Sequence, residues 1–238
     1  MTSSSSPSPS PDQPQVELRN VAKSYLTQGF GRSQVFSNLS FSIPKGFNVG
    51  VIGRNGAGKS TLMRLIGGME RPDRGSVFVN GTPSPPQGLS GGVIPILTAR
   101  DNAKFVCRVF GLRGTEMHDR IAAIEDIAGL GRFFDRPVNT YSSGMRARLN
   151  FALNMAFEYD LYLFDELGAV GDKRYRERAS QLMDERKSSA SFLIVGHSLG
   201  LLKRDCDAGL YLRDGAATFF PDINDAIACY ENDTQTPS

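Results

Sequence analysis

The apolar run FNVGVI (47–52) passes directly into GRNGAGKS (53–60) and then into TLMRLIGG (61–68), whose apolar residues recur at helical spacing. A strand, a glycine-rich turn and a helix in immediate succession leave little choice of fold. In that setting the pattern G-x-x-x-x-G-K-[ST] builds a phosphate cradle. Gly53, Gly56 and Gly58 let the backbone turn tightly, so that N–H groups across Arg54, Asn55, Ala57 and their neighbours aim at phosphate oxygens. The helix that follows adds its positive N-terminal end. Lys59 reaches the β- and γ-phosphates, Ser60 offers a hydroxyl to Mg²⁺, and Thr61 adds further hydrogen bonds. The segment predicts a nucleoside triphosphate site.

The rest of the chain supplies the frame. VELRNVAKSY and VFSNLSFSIP alternate apolar and polar residues and predict antiparallel strands, with LTQGFGRSQ as a loop between them. GSVFVNG (75–81), DLYLFDE (160–166) and SFLIVGH (191–197) read as further strands, and AGLYLRDGAATFF as a hairpin turned at Asp214-Gly215. TPSPPQGLSGG (82–92) breaks regular structure, and helical periodicity dominates after it. Residues 95–145 are expected to form a helical subdomain, and NDAIACYEN a closing helix. Strand–helix alternation predicts an α/β fold with a mainly parallel sheet and a ligand at the carboxyl ends of its strands.

The strand ends carry chemistry. LYLFDE delivers Asp165, placed to bind Mg²⁺ through water, and Glu166, placed to orient and deprotonate an attacking water. VGHS puts His197 at the end of another strand, where it can hydrogen-bond a γ-phosphate. Tyr25, in KSY, is either a stacking surface for adenine or a packed strand aromatic. TYSSGMRARL (140–149) runs two serines and a glycine into a basic helix, so Ser142, Ser143, Gly144 and Met145 form a second helix start suited to an anion.

Bulk properties exclude several classes. A net charge of +2, from 27 basic and 25 acidic residues, argues against a nucleic-acid surface as main partner. Cys107, Cys206 and Cys229 are scattered, without a C-x-x-C pair, which fits a reducing cytosol rather than a disulfide framework or zinc site. No apolar run is long enough to span a bilayer. MTSSSSPSPSPDQPQ (1–15) has no signal-peptide pattern and reads as a disordered Ser/Pro tail, followed by one domain over 16–230 and a tail over 231–238. Lys173, Arg174, Arg176 and Arg178 read as a solvated helix face.

Phosphate loop, TYSSGMRARL, acidic strand end and histidine stand in the order found in ABC-type ATPases, which this chain resembles from Val16 to about Tyr230. The resemblance implies a P-loop NTPase (RecA-like) core with an antiparallel β subdomain and a helical subdomain. It also implies ATP and Mg²⁺ as ligands, adenine stacking at Tyr25, and a dimer-contact loop at Ala169, Val170, Gly171 and Asp172. TYSSGMRARL is similar to the signature segment, with Ser-Ser-Gly-Met where most members have Ser-Gly-Gly-Gln. In the family's geometry it completes the ATP site of a second copy.

GLSGGVIPILTARDNAKFV, FFDRPVNTYSSGMRARLNFALNMAFEYD and DELGAVGDKRYRERA narrow the resemblance to the ATPase subunits of capsular polysaccharide exporters, with teichoic-acid and O-antigen exporters close by. The end of the chain soon after its last expected helix favours the capsule type. That implies a peripheral subunit at the cytoplasmic face of a bacterial inner membrane, held by a polytopic permease, with a periplasmic co-polymerase-like partner. Ile94 stands where members generally carry a metal-ligating glutamine. Either Mg²⁺ takes a water there or coupling differs, and Gln87 substitutes only if its loop folds back. A weakly hydrolysing regulatory subunit is the alternative reading of Ile94.

Overall fold

The computed structural model describes residues 13–27, 29, 31–86, 93–165, 173–196 and 198–235. Among them, β1 (Val16–Thr27), β2 (Gly31–Ile43) and β4 (Arg74–Val79) form an antiparallel sheet in the order β2-β1-β4. β3 (Val49–Gly53), β5 (Leu161–Asp165), β6 (Ser191–Val195), β7 (Ala208–Arg213) and β8 (Ala216–Phe220) form a second sheet in the order β5-β6-β3-β7-β8. The first four of these strands run parallel and β8 returns antiparallel to β7. That turn is made at Asp214 and Gly215, both at positive φ. Helices α1 (Lys59–Ile66), α5 (Lys173–Lys187), α6 (Leu199–Asp205) and α7 (Ile223–Gln235) accompany the parallel sheet. α2 (Ala99–Val109), α3 (Gly114–Ala128) and α4 (Ser143–Met155) follow one another in a helical region, with two 3₁₀ turns between α3 and α4.

The pleat sorts the apolar residues into two cores. Leu161 and Leu163 of β5 and Leu193 and Val195 of β6 join the core shared with β1, β2 and α1. Their alternate neighbours Tyr162, Phe164, Phe192 and Ile194 face the helices on the other side. Burial on both faces is why these strands read as continuous apolar runs. Phe192 stacks between Tyr162 and Phe164, with centroids 4.9 and 5.8 Å away, and is fully buried. Truncating such a ring costs about 3–5 kcal/mol.

Three stretches depart from expectation. Part of LTQGFGRSQ is strand: Ser24 pairs with Gln34, Tyr25 with Ser33, Leu26 with Arg32 and Thr27 with Gly31. Backbone bonds carry that hairpin while most of its side chains face solvent, so no apolar alternation marks it. Residues 233–235, beyond the expected closing helix NDAIACYEN, continue α7, where Asp233 accepts from Tyr211 Oη at 2.9 Å and pairs with Arg213 at 2.6 Å. Residues 82–86 run beside β5: Ser84 donates its N–H to Leu161 at 2.8 Å and its Oγ accepts from Leu163 N–H at 2.9 Å.

On α5, Lys173, Arg174, Arg176 and Arg178 are exposed, and Tyr175 alone of that turn is buried. Among the described residues no helix is long and apolar enough to cross a membrane.

Candidate functional site

β3 ends at Gly53 and α1 begins at Lys59, so the loop between them opens at the carboxyl edge of the parallel sheet. Glycine is required at two points by its surroundings. A Cβ on Gly53 would stand 2.6 Å from the carbonyl oxygen of Leu212. One on Gly58 would stand 2.7 Å from both Phe36 Cζ and Val35 Cγ1, and Gly58 holds φ at 94°. Gly58 is the N-cap of α1 and provides no side chain to cap it. The first N–H groups of a helix have no carbonyl of their own helix to bond, and here they open onto the loop.

Lys59 is nine-tenths buried, yet its ammonium is satisfied: Nζ donates to the carbonyl oxygens of Gly53 at 2.7 Å and Arg54 at 3.0 Å. Ala57 N–H closes the turn onto Arg54 at 3.1 Å. Arg54, Asn55 and Gly56 are exposed at the tip, Ser60 is half-buried, and Thr61 is buried behind it. A buried ammonium that donates to carbonyl oxygens of a glycine-rich loop at a helix N-terminus is arranged for an anion of high charge.

Asp165 is the last residue of β5, and register brings it level with this loop. It pairs with Val195 of β6, and Val195 pairs with Val51 of β3, two residues before Gly53. Two strand spacings, about 10 Å, separate Asp165 from the base of the loop. Glu166 and the loop Ala169, Val170, Gly171 and Asp172 lie outside the described residues, as does His197, two positions beyond the end of β6.

Tyr25 stands against α1. Its hydroxyl donates to Glu70 Oε2 at 2.6 Å and lies 3.4 Å from Thr61 Oγ1, while Lys23 Nζ sits 5.2 Å from the ring centroid. The base site expected at Tyr25 is therefore joined to the phosphate loop through Thr61.

The second anion-suited helix start is α4. Ser142 alone is its N-cap, accepting from the N–H of Met145 at 3.2 Å, whereas Ser143 is the first helical residue and keeps an exposed side chain. Tyr141 is buried just ahead of it and donates to the carbonyl of Phe133 at 2.5 Å, which fixes the approach to the cap. Gly144 and Met145 are half-buried in the first turn.

Ile94 is about one-third exposed, and its backbone is clamped. Asn102, fully buried on α2, accepts from Ile94 N–H at 2.6 Å and donates to the carbonyls of Ile94 at 3.1 Å and Thr98 at 2.8 Å. The same strap takes Val138 N–H on Leu97 at 3.0 Å and Asn139 N–H on Pro95 at 2.8 Å. The segment that follows Ile94 is thus hydrogen-bonded, through Pro95 and Leu97, to the residues leading into Ser142. Gln87 lies outside the described residues. Sequence reasoning missed Asn102. Its one signal is a polar residue on the apolar face of a periodic helix, and its bonding is visible only after folding.

The chain has relatives over most of its length. The family model described as ABC transporter matches residues 36–169. The polysialic acid transport ATP-binding protein KpsT of Escherichia coli is 44% identical over 219 residues, covering 92% of this chain and 99% of that protein. The capsule polysaccharide export ATP-binding protein CtrD of Neisseria meningitidis serogroup B is 38% identical over 217 residues, covering 91% and 99%. Among solved structures, the dimeric post-hydrolysis state of the ATP-binding cassette MJ0796 bound to ADP and Pi superposes with a TM-score of 0.72 at 25% identity, over 85% of this chain and 96% of that one. A family match running from within β2 past the acidic end of β5, with relatives aligned over nearly their whole length, means that this chain belongs to the ABC transporter family as an ATP-binding cassette.

Proposed function

We propose that two copies of this chain enclose ATP between them and hydrolyse it to drive a membrane permease that exports capsular polysaccharide. The observation that carries the reading is the buried Lys59, held by the carbonyls of its own loop, which follows the strand whose Val51 lies in register, through Val195, with Asp165. When a triphosphate enters, Lys59 exchanges those carbonyls for β- and γ-phosphate oxygens. The N–H groups from Gly53 to Thr61 close around the same phosphates.

Mg²⁺ suits the donor set, a hydroxyl at Ser60 and a carboxylate at Asp165 among phosphate oxygens, and when bound it neutralises charge developing on the transferring phosphoryl group. Glu166 takes the proton of a water that attacks the γ-phosphorus, and the bond to the β-phosphate oxygen breaks to release ADP and phosphate. His197 holds the γ-phosphate. The Ser142–Met145 start of α4 from the second copy supplies the N–H groups and positive helix end that other phosphate-loop enzymes obtain from an arginine. Ala169, Val170, Gly171 and Asp172 meet the second copy beside this site. Differential affinity does the work: ATP bridges surfaces that ADP does not, and the permease responds to which state is populated.

The names of KpsT and CtrD support polysaccharide as cargo, with the permease handling it and this subunit at the cytoplasmic face of the inner membrane. A periplasmic co-polymerase-like protein completes the assembly. The experiment is a Mg²⁺-dependent ATPase assay on the purified chain with Glu166→Gln as control, coupled to co-purification with the permease. Turnover that survives Glu166→Gln would remove Glu166 from its assigned role, and an absence of turnover in the wild-type chain would favour the regulatory reading of Ile94.

A further inference from the structure

Tyr25 lies on a part of β1 that the sheet no longer supports on both sides. Pairing between β1 and β4 ends at Ala22 with Arg74, whereas pairing with β2 continues to Thr27. From Lys23 onward, β1 is thus one strand of a two-stranded arm, a form with little stability of its own. The turn between α1 and β4 holds that arm in place. Asp73 Oδ2 accepts from both the N–H and the hydroxyl of Ser24, at 2.9 and 2.7 Å. Glu70 Oε2 accepts from the Tyr25 hydroxyl at 2.6 Å and pairs with Lys23 Nζ at 3.0 Å, and Lys23 also donates to the carbonyl of Arg71 at 2.9 Å.

We infer that Glu70 is a positioning residue for the base of the nucleotide: it fixes the hydroxyl end of Tyr25 so that the ring presents one face to a purine while Lys23 covers the other. The inference rests on the reading of Tyr25 as the adenine-stacking residue. A tyrosine ring pivots about its first side-chain torsion, and a stacking surface is useful only when that torsion is set before the base arrives. Three features make Glu70 suited to setting it. The contact is short and charge-assisted. Glu70 is anchored by a second partner, Lys23, and faces Arg64 NH1 at 3.7 Å. It also sits beyond the α1 helix that carries the phosphate loop, so base and phosphate sites share one rigid support. The 3.4 Å approach of the Tyr25 hydroxyl to Thr61 Oγ1 completes that link.

The test compares affinity for ATP with affinity for inorganic tripolyphosphate, which has no base, by calorimetry on the full chain. Glu70→Ala and Tyr25→Phe are each expected to weaken ATP binding about three- to tenfold and leave tripolyphosphate unchanged. The double variant is expected to be no weaker than either single one. Glu70→Gln, whose amide oxygen still accepts from the hydroxyl, should bind ATP close to wild type. If Tyr25→Ala loses ATP affinity while Glu70→Ala does not, the role of Glu70 is overturned and the reading of Tyr25 stands. If Tyr25→Ala binds ATP as wild type, the stacking reading itself falls. Equal losses for ATP and tripolyphosphate in Glu70→Ala would mark general damage to the loop and overturn the inference.

Discussion

The ammonium of Lys59 donates to the carbonyl oxygen of Gly53, 2.7 Å away at the other end of the same loop. The contact closes the loop on itself and keeps a buried charge satisfied; in the proposed reading, phosphate oxygens take the place of the carbonyls. It makes the loop preorganised, so little order has to be created when the nucleotide arrives.

Lys59→Met should therefore separate function from folding. ATP turnover is expected to fall on the order of 10²–10³-fold, the loss typical of removing one charge-stabilising donor. The unfolding midpoint should change little, since a methionine fills the same volume without an ammonium to satisfy. Steady-state hydrolysis and urea titration of the same preparation check both parts.

Gly56 and Gly58 predict different costs for the same substitution. Both hold positive φ, but a Cβ on Gly56 meets nothing within 4 Å whereas one on Gly58 runs into Phe36 and Val35. Gly56→Ala should lose about 1 kcal/mol of stability, the backbone term alone. Gly58→Ala should lose about 2–4 kcal/mol, because the clash is added to it. Chemical denaturation midpoints distinguish them.

Ser142 has two roles that one series of variants can divide. Ser142→Ala should cost about 1 kcal/mol through the lost cap on Met145 N–H. Ser142→Asp should restore that stability, since aspartate caps as well as serine, yet leave turnover low by placing a carboxylate where a γ-phosphate is to be bound. Thermal unfolding reports the cap and ATPase rate the phosphate contact.

The helical region should show acid sensitivity at Asp135. Hydrogen bonding to Arg100, at 2.6 and 3.1 Å, holds its carboxyl below the ordinary carboxylate value, against a smaller opposing effect of desolvation. A lower value in the folded than in the unfolded state adds stability above the unfolded pKa, about 3.9. The added stability is lost as pH falls through the folded value. The stability difference between wild type and Asp135→Asn should accordingly shrink from pH 6 to pH 3 in denaturation series.

Much of this arrangement was legible before folding because its signals are local. GRNGAGKS between an apolar strand and a helix carries its own geometry, and LYLFDE and SFLIVGH announce buried parallel strands by their unbroken apolar runs. What escaped depends on contacts between distant segments. Asn102 looks like any polar residue of a helix until its amide is found on the backbone of Ile94, and Glu70 gains meaning only from Tyr25, 45 positions away. The hairpin arm of β1 and β2 reads as a loop in the sequence because its strands pair through backbone bonds, which leave no pattern in side chains. α7 runs three residues past NDAIACYEN, and that last turn carries no apolar signal because it docks through the polar contacts of Asp233.

The central claim is that α4 of one copy completes the ATP site of another, and light scattering of the chain with ATP tests it most directly. With Glu166→Gln to prevent turnover, the account predicts that ATP doubles the mass. Adding Ser143→Arg, a bulky side chain at the exposed first residue of α4, should return the protein to monomer mass with ATP affinity unchanged. A Ser143→Arg protein that still doubles its mass with ATP, or that loses ATP binding as a monomer, would contradict the account.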